Sequence, residues 1–295
     1  MTDEGARTGC ERMLAVASER LANMHRVQVH RDPWPEFATF DRSRYAAPMR
    51  RAAAIQWAGR ARAEHGSIHQ FTQLAHALAN ARVPLHLHGA LARLVTDEVR
   101  HAELCAEMAL ACWPEGRDDG PAVFAWPPPR APWPDAPAAS EEIALLGWAA
   151  EAIAVACCLG ETMSRPMLEA IAVVATDPLA EACARQILRD EHLHATFGWE
   201  ALAWLWPQLD EPRRAALHRR VAKAFAGFEA TTACGIPLAD VAGQELEIER
   251  GAPNLGTLTD LQYAMIFYAT LEQEIVPKLA AIGLDATRAW AERGA

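Results

Sequence analysis

The stretch DEVRHAELCAEMALACWPEG, beginning at Asp97, returns 93 residues later as DEHLHATFGWEALAWLWPQL, beginning at Asp190. Aligned without gaps, the two share Asp, Glu, His, Ala, Glu, Trp and Pro, ending at Trp113-Pro114 and Trp206-Pro207. No other feature constrains the fold as strongly. Two related helical units, packed together, bring two related sets of side chains face to face. Each copy holds Glu-x-x-His: Glu98 with His101, and Glu191 with His194. Residues three apart on a helix share a face, so one carboxylate and one imidazole of each copy can reach a single metal ion. One Glu-x-x-His occurs often by chance, whereas two in corresponding places of a repeat are far more specific.

The rest of the chain reads as all-α. Ala and Leu dominate, and runs of alternating β-branched or aromatic residues are scarce. Helical patterns cover about 50–80, 85–112, 140–175, 178–206, 211–233, 258–282 and 285–293, with a weaker one over about 8–29. NARVP at 80–84 and TDP at 176–178 are short connections, so each flanking pair forms an antiparallel hairpin. Pro84 and Pro178 suit helix starts, and Thr176 or Asp177 can cap. The prolines of 114–140 exclude a long helix there. That segment is long enough to run the length of a bundle, as the one long crossover of a four-helix bundle must. The chain divides into an N-terminal accessory helix and arm (1–49), a bundle (50–206) and C-terminal accessory helices packed on it (207–295). The apolar run 143–160 carries Glu151 near its middle, which suits a buried helix better than a membrane span.

The partner helices supply carboxylates at matching heights. Glu64 and Glu98 have their midpoint at residue 81, inside the first turn, and Glu161 and Glu191 have theirs at 176, inside the second. Glu151 fails the same test. Steps of three, four and seven from each of the four glutamates reach mainly apolar residues: Trp57, Phe71 and Leu78 from Glu64, for instance, and Leu91, Leu94 and Cys105 from Glu98. An ionised carboxylate buried without a partner costs several kcal/mol, and four together also repel. Four carboxylates and two neutral imidazoles carry a charge matched by two divalent cations. Such ligands suit iron or manganese better than thiophilic metals, and zinc accepts the same ligand types. The bland alternative pairs the glutamates with Arg60, Arg62, Arg100 or Arg189.

Glu64, Glu98-x-x-His101, Glu161 and Glu191-x-x-His194 together resemble the ligand set of the ferritin-like non-haem di-iron carboxylate superfamily, over about residues 50–206. The resemblance implies a ferritin-like four-helix bundle with two iron ions in its core, Mn/Fe or Mn being variants. It implies that Glu98 and Glu191 bridge the ions and that Glu64 and Glu161 are terminal ligands. Asp97 and Asp190 resemble the residues that orient the ligand histidines, and Arg100 matches an arginine frequent in the motif. The second motif has Leu193 in that place. A tyrosine four residues after the first His, the radical site of ribonucleotide reductase small subunits, is here Cys105. The additional His of aryl-amine N-oxygenases, four residues before the second Glu, is here Ile187.

Charge and cysteines bear on partners. Lys plus Arg number 28 against 38 Asp plus Glu, a net −10 without a basic block, which argues against nucleic acid. Seven cysteines without a C-x-x-C suit a reducing cytoplasm, and the polar first residues show no secretory signal. Glu107 and Glu200 repeat nine residues beyond each motif Glu and fall on the opposite, solvated face. His65, His69 and His76 share a stripe beside Glu64 and read as polar residues at a helix boundary, the alternative being that they line a substrate entry or carry protons. His86 and His88 read as helix-start residues, and Cys157 and Cys158 as small packing residues. Gly147, Ala150, Ala154, Gly160 and Gly198 either open a cavity or allow close packing. Tyr263, Phe267 and Tyr268 cover the bundle, and 234–258 is a surface loop or a lid, the loop reading being slightly favoured.

These readings lead first to a di-iron oxidase or oxygenase that activates O2 to hydroxylate, desaturate or N-oxidise a small organic substrate, with an external electron donor and a possible homodimer. The crossover, accessory helices and possible lid give room for a small-molecule pocket. A ferroxidase or peroxide-handling protein ranks second, because storage bundles are shorter. A non-catalytic metal-binding bundle ranks third.

Overall fold

The computed structural model describes residues 9–113, 135–137, 141–246 and 251–294. The fold is all-helical, with no strand among the described residues. Two short helices, α1 (Gly9–Met13) and α2 (Glu19–Val29), precede the long ones. The sequence expectation of one helix over 8–29 is corrected, because Ser18 caps α2 by accepting a hydrogen bond from Leu21 N. An arm with two 3-10 turns leads to α3 (Ala47–Asn80) and α4 (Leu85–Cys112). The turn between them places Arg82 at φ 51°, and α3 and α4 pack along one another as a hairpin.

The third long span, α5 (Glu142–Val174), is continuous but not uniform. Its middle, Ala154–Glu161, is wound as a π-helix, a feature frequent at functional sites that periodicity does not reveal. α5 is long and apolar enough to cross a membrane, yet 67% of its most apolar window is buried inside the protein. Asp177 accepts hydrogen bonds from Leu179 N and Ala180 N at the start of α6 (Pro178–Leu205), with Pro178 in its first turn. Tyr45 Oη donates to the other carboxylate oxygen of Asp177 at 2.8 Å, fastening the arm to that end of the molecule.

α5 and α6 form the second hairpin; α4 packs on α6, and α3 on the first half of α5. Two glycines allow this closeness. A Cβ on Gly198 of α6 would sit 2.6 Å from Cys157 Cβ and 2.9 Å from Cys157 C on the π segment. One on Gly147 would meet Arg213 Cδ at 2.9 Å. At both positions the missing side chain serves packing.

Beyond α6 lie α7 (Glu211–Thr231), α8 (Leu238–Val241), the run α9 (Asp260–Thr270, Leu271–Ile275 and Val276–Ile282) and α10 (Ala286–Ala291). α7 rests on α5, where Arg220 holds Glu151 at 2.9 Å, so that this carboxylate faces an accessory helix. α9 covers the second half of α5, with Phe267 and Tyr268 buried.

The segment 254–258 is strapped down. Asn254 O accepts from Thr176 N, Leu255 O from Trp57 Nε1 at 2.8 Å, and Leu258 O from Gln56 Nε2. Leu255 and Leu258 are buried. This portion is therefore neither a loose surface loop nor a free lid, a correction that follows from its bonds to α3 and to the α5–α6 turn. Residues 247–250 of the expected loop, and the expected crossover 114–140 apart from 135–137 at its end, lie outside the described residues.

Candidate metal centre

Four spans converge on one buried point. α3 contributes Glu64, α4 Glu98 and His101, the last residue of the π segment Glu161, and α6 Glu191 and His194. Ligand atoms of Glu64, Glu98 and His101 lie within 4.8 Å of one another, and so do those of Glu98, Glu161 and His194. Glu98 belongs to both groups. His194 Nδ1 lies 3.2 Å from Glu98 Oε1 and 3.3 Å from Glu161 Oε2. His101 Nδ1 faces Glu64 Oε2 and Glu191 Oε1, each at 3.9 Å. The two imidazole centroids are 5.4 Å apart. Glu191 meets the site through His101 and belongs to neither close group.

The four residues of the two Glu-x-x-His motifs are sealed from solvent, whereas the side chains of Glu64 and Glu161 keep 14% and 11% exposure. The open side is therefore theirs. Four atoms here are buried without a hydrogen-bond partner: Glu98 Oε2, Glu191 Oε2, His101 Nδ1 and His194 Nε2. Buried polar atoms are paired in the great majority of cases; His194 Nε2 faces Asp97 outside the centre, and the other three orphans, Glu98 Oε2, Glu191 Oε2 and His101 Nδ1, are atoms that a cation could satisfy. The residues present fit divalent metal ions in ligand type, spacing and charge.

Electrostatics agree. Burial, then the charges of Glu161 and Glu64, push the carboxyl of Glu98 well above its ordinary range. Burial, then Glu161, does the same to Glu191. Burial lowers the affinity of His194 for a proton, but Asp97, Glu161 and Glu98 outweigh it and the net shift is upward. All three shifts favour the forms that carry a proton, as expected where carboxylates crowd together without a cation between them.

The outer contacts cross between the motifs. His101 Nε2 lies 3.3 Å from Asp190 Oδ2, and His194 Nε2 lies 3.7 Å from Asp97 Oδ2. Each motif's aspartate thus faces the histidine of the other motif, as partners that fix ring orientation do. Both aspartates share the same arginines. Arg100 Nη1 is 2.6 Å from Asp97 and 2.7 Å from Asp190, and its Nε donates to Val29 O. Arg93 holds Asp97 at 2.8 Å and Arg31 pairs with Asp190. Burial works against ionisation of Asp97, yet the nearby His194 ring and the hydrogen bonds from Arg93 and Arg100 win and hold its pKa below the usual carboxylate range. Arg100 thereby serves both motifs, although Leu193 stands where a second arginine would be. Sequence reading missed Arg93, which lies one turn before Asp97 and was legible, and Arg31, which reaches the site from the arm and was not.

Other singled-out residues separate from the centre. Arg62 and Arg189 are exposed, and Arg60 donates to Tyr263 Oη at 2.9 Å, so among the described ion pairs no arginine joins the six residues. Cys105, Cys157 and Cys158 are fully buried, and burial first of all pushes each thiol well upward, as packing residues require. Ile187 is buried as well. Glu200 is exposed as expected, but Glu107 is half-buried, which corrects its reading as a solvated residue: α1 and α2 lie over that face of α4. His65 borders a cavity beneath α2, while His76 is exposed.

Compared with protein-family models, curated proteins and solved structures, the chain matches none.

Proposed function

We propose that the chain is a ferritin-like di-iron oxidase or oxygenase acting on a small organic substrate. The four long helices would form the four-helix bundle, joined by a crossover through 114–140, with the remaining helices as accessories. The observation that carries this reading is the set of three orphaned polar atoms, Glu98 Oε2, Glu191 Oε2 and His101 Nδ1, within a largely buried cluster of four glutamates and two histidines. Glu64, Glu98 and His101 would hold one ion and Glu98, Glu161 and His194 the other, with Glu191, beside His101, completing the six-residue set. Two ferrous ions, if held by these residues, would supply the electrons with which O2 is activated for substrate oxidation.

This chain's own residues prepare the site. Asp190 Oδ2 accepts the Nε2 proton of His101 and leaves Nδ1 as the inward lone pair. Arg100 and Arg93 keep Asp97 ionised behind His194. The buried motif residues exclude water, and the partial exposure of Glu64 and Glu161 marks the side by which ions, O2 and substrate approach. An external donor would supply further electrons; the net charge of −10 speaks against nucleic acid, the cysteine usage suits a reducing cytoplasm, and Glu151 within the apolar run suits a buried helix better than a membrane span.

Anaerobic Fe(II) titration followed by elemental analysis tests the reading. Two ions bound by the six residues are expected, with Mn(II) and Zn(II) as comparisons. A Glu98→Ala/Glu191→Ala protein that binds as many ions as wild type would refute it. Oxidation of many Fe(II) ions per chain without any substrate would transfer the protein to the ferroxidases.

A further inference from the structure

A second constellation lies on the outer side of α4. His25 Nε2 is 2.7 Å from Glu103 Oε2, and His30 Nε2 is 2.9 Å from Glu103 Oε1. The three offer ligand atoms within 4.8 Å of one another. We infer that His25, His30 and Glu103 form a separate mononuclear site for a first-row divalent cation, a two-histidine, one-carboxylate set that ties α2 to α4.

The local chain explains how the set forms. His25 and His30 are five residues apart and would diverge on one helix. α2 ends at Val29, and His30, extended at φ −70° and ψ 144°, turns its ring back toward α4. That ring is stacked on Trp34 at 3.7 Å with the planes 3° apart, so its orientation is set beforehand. Glu103 is five residues beyond Glu98 and projects from a different face of α4, away from the buried centre. Imidazole and carboxylate suit zinc, cobalt and iron alike. Metal–ligand distances of about 2.0–2.2 Å place tetrahedral ligand atoms roughly 3.3 Å apart. The observed nitrogen–oxygen separations therefore need to open by only about 0.5 Å when an ion replaces the bridging protons.

The surroundings leave room for this chemistry. The three residues border a cavity of about 470 Å³, walled on its apolar side by Met13, Leu14, Leu21, Ile68 and Ala102. Glu107 adds a second carboxylate to the cavity wall, against one arginine, Arg26, which is engaged with Asn23. Three protein ligands leave coordination positions free for water or a small anion. The residue after His30 is Arg31, which pairs with Asp190 behind His101. An ion in the outer site therefore anchors the arm that completes the outer contacts of the inner one.

The test counts ions and does not rest on the inner centre. Zn(II) is titrated calorimetrically into full-length chelator-treated protein, with three variants alongside: His25→Ala/His30→Ala, Glu103→Gln, and Glu98→Ala/Glu191→Ala. The first two should each bind one ion fewer than wild type. The third should still bind one, and Co(II) at that remaining ion should show visible ligand-field bands that vanish when Glu103→Gln is added. Glu103→Gln keeps side-chain shape, so a lost ion cannot be blamed on a lost fold if far-ultraviolet circular dichroism is unchanged. Wild-type stoichiometry in both outer-site variants would overturn the proposal, whatever the inner centre binds.

Discussion

Gly198→Ala perturbs the point where the π segment meets α6. The new methyl would lie 2.6 Å from Cys157 Cβ, 2.9 Å from Cys157 C and 3.1 Å from Cys158 N. Two of these are main-chain atoms, so no side chain can swing aside and one helix must retreat by about 1 Å to restore van der Waals contact. Overpacking of this kind costs about 1–3 kcal/mol, and the main-chain clash argues for the upper end. Alanine returns about 1 kcal/mol of helix propensity, leaving a net loss of about 2 kcal/mol. At roughly 2–4 °C per kcal/mol for large domains, the melting temperature should fall by about 4–8 °C. The same retreat moves the π segment that ends at Glu161, four residues beyond Cys157, so metal affinity should fall with stability. Gly227→Ala is the control: it is exposed, within α7, and its Cβ would meet nothing within 4 Å. It should be neutral or slightly stabilising. Scanning calorimetry and Fe(II) titration of both variants decide the matter. A Gly198→Ala protein as stable as wild type, with unchanged metal affinity, would refute the claim that this glycine sets the position of the π segment.

Three further outcomes are expected. In metal-free protein the raised carboxyls of Glu98 and Glu191 contribute stability that is full below about pH 4.5 and is lost as pH rises through their folded values. The raised imidazole of His194 acts with the same sign. The unfolding free energy of the apoprotein from urea titrations should therefore fall from pH 5 to pH 7, by up to about 1.4 kcal/mol per pH unit for each proton retained, and Glu98→Gln/Glu191→Gln should flatten the trend while abolishing metal binding at the inner centre; a wild-type stability that rises over this range would contradict the assignment. Arg100→Met leaves Asp97 and Asp190 short of a buried partner and should cost about 3–5 kcal/mol in chemical denaturation; a loss under 1 kcal/mol would show that Arg31 and Arg93 suffice. Asp177→Ala removes the cap of α6 and the acceptor of Tyr45 and should cost about 2 kcal/mol, of which Tyr45→Phe alone reproduces about 1 kcal/mol if the hydrogen bond at that end is formed in solution.

The long helices were legible because their signals are local. Apolar spacing, Pro178 after Asp177 and Pro84 after NARV locate α3 to α6 almost to the residue, and equal distances from two short turns are enough to level Glu64 with Glu98 and Glu161 with Glu191. The split between α1 and α2 was missed because Ser18 caps inside a weak pattern. Half-burial of Glu107 was missed because a helical wheel of α4 says nothing about α2 lying over it. Arg93 could have been found, since it stands four residues before Asp97 on the same helix.

By itself, then, the sequence determined an all-helical chain with carboxylates and imidazoles repeated at helical spacing on apolar faces, because periodicity and capping act within a few residues. Tertiary structure alone decided which aspartate faces which histidine, how one Arg100 serves two motifs, why the π segment can lie against Gly198, and that His25 and His30 meet Glu103. Each of these joins residues from separate elements, and the distance between such residues is set by how the helices pack.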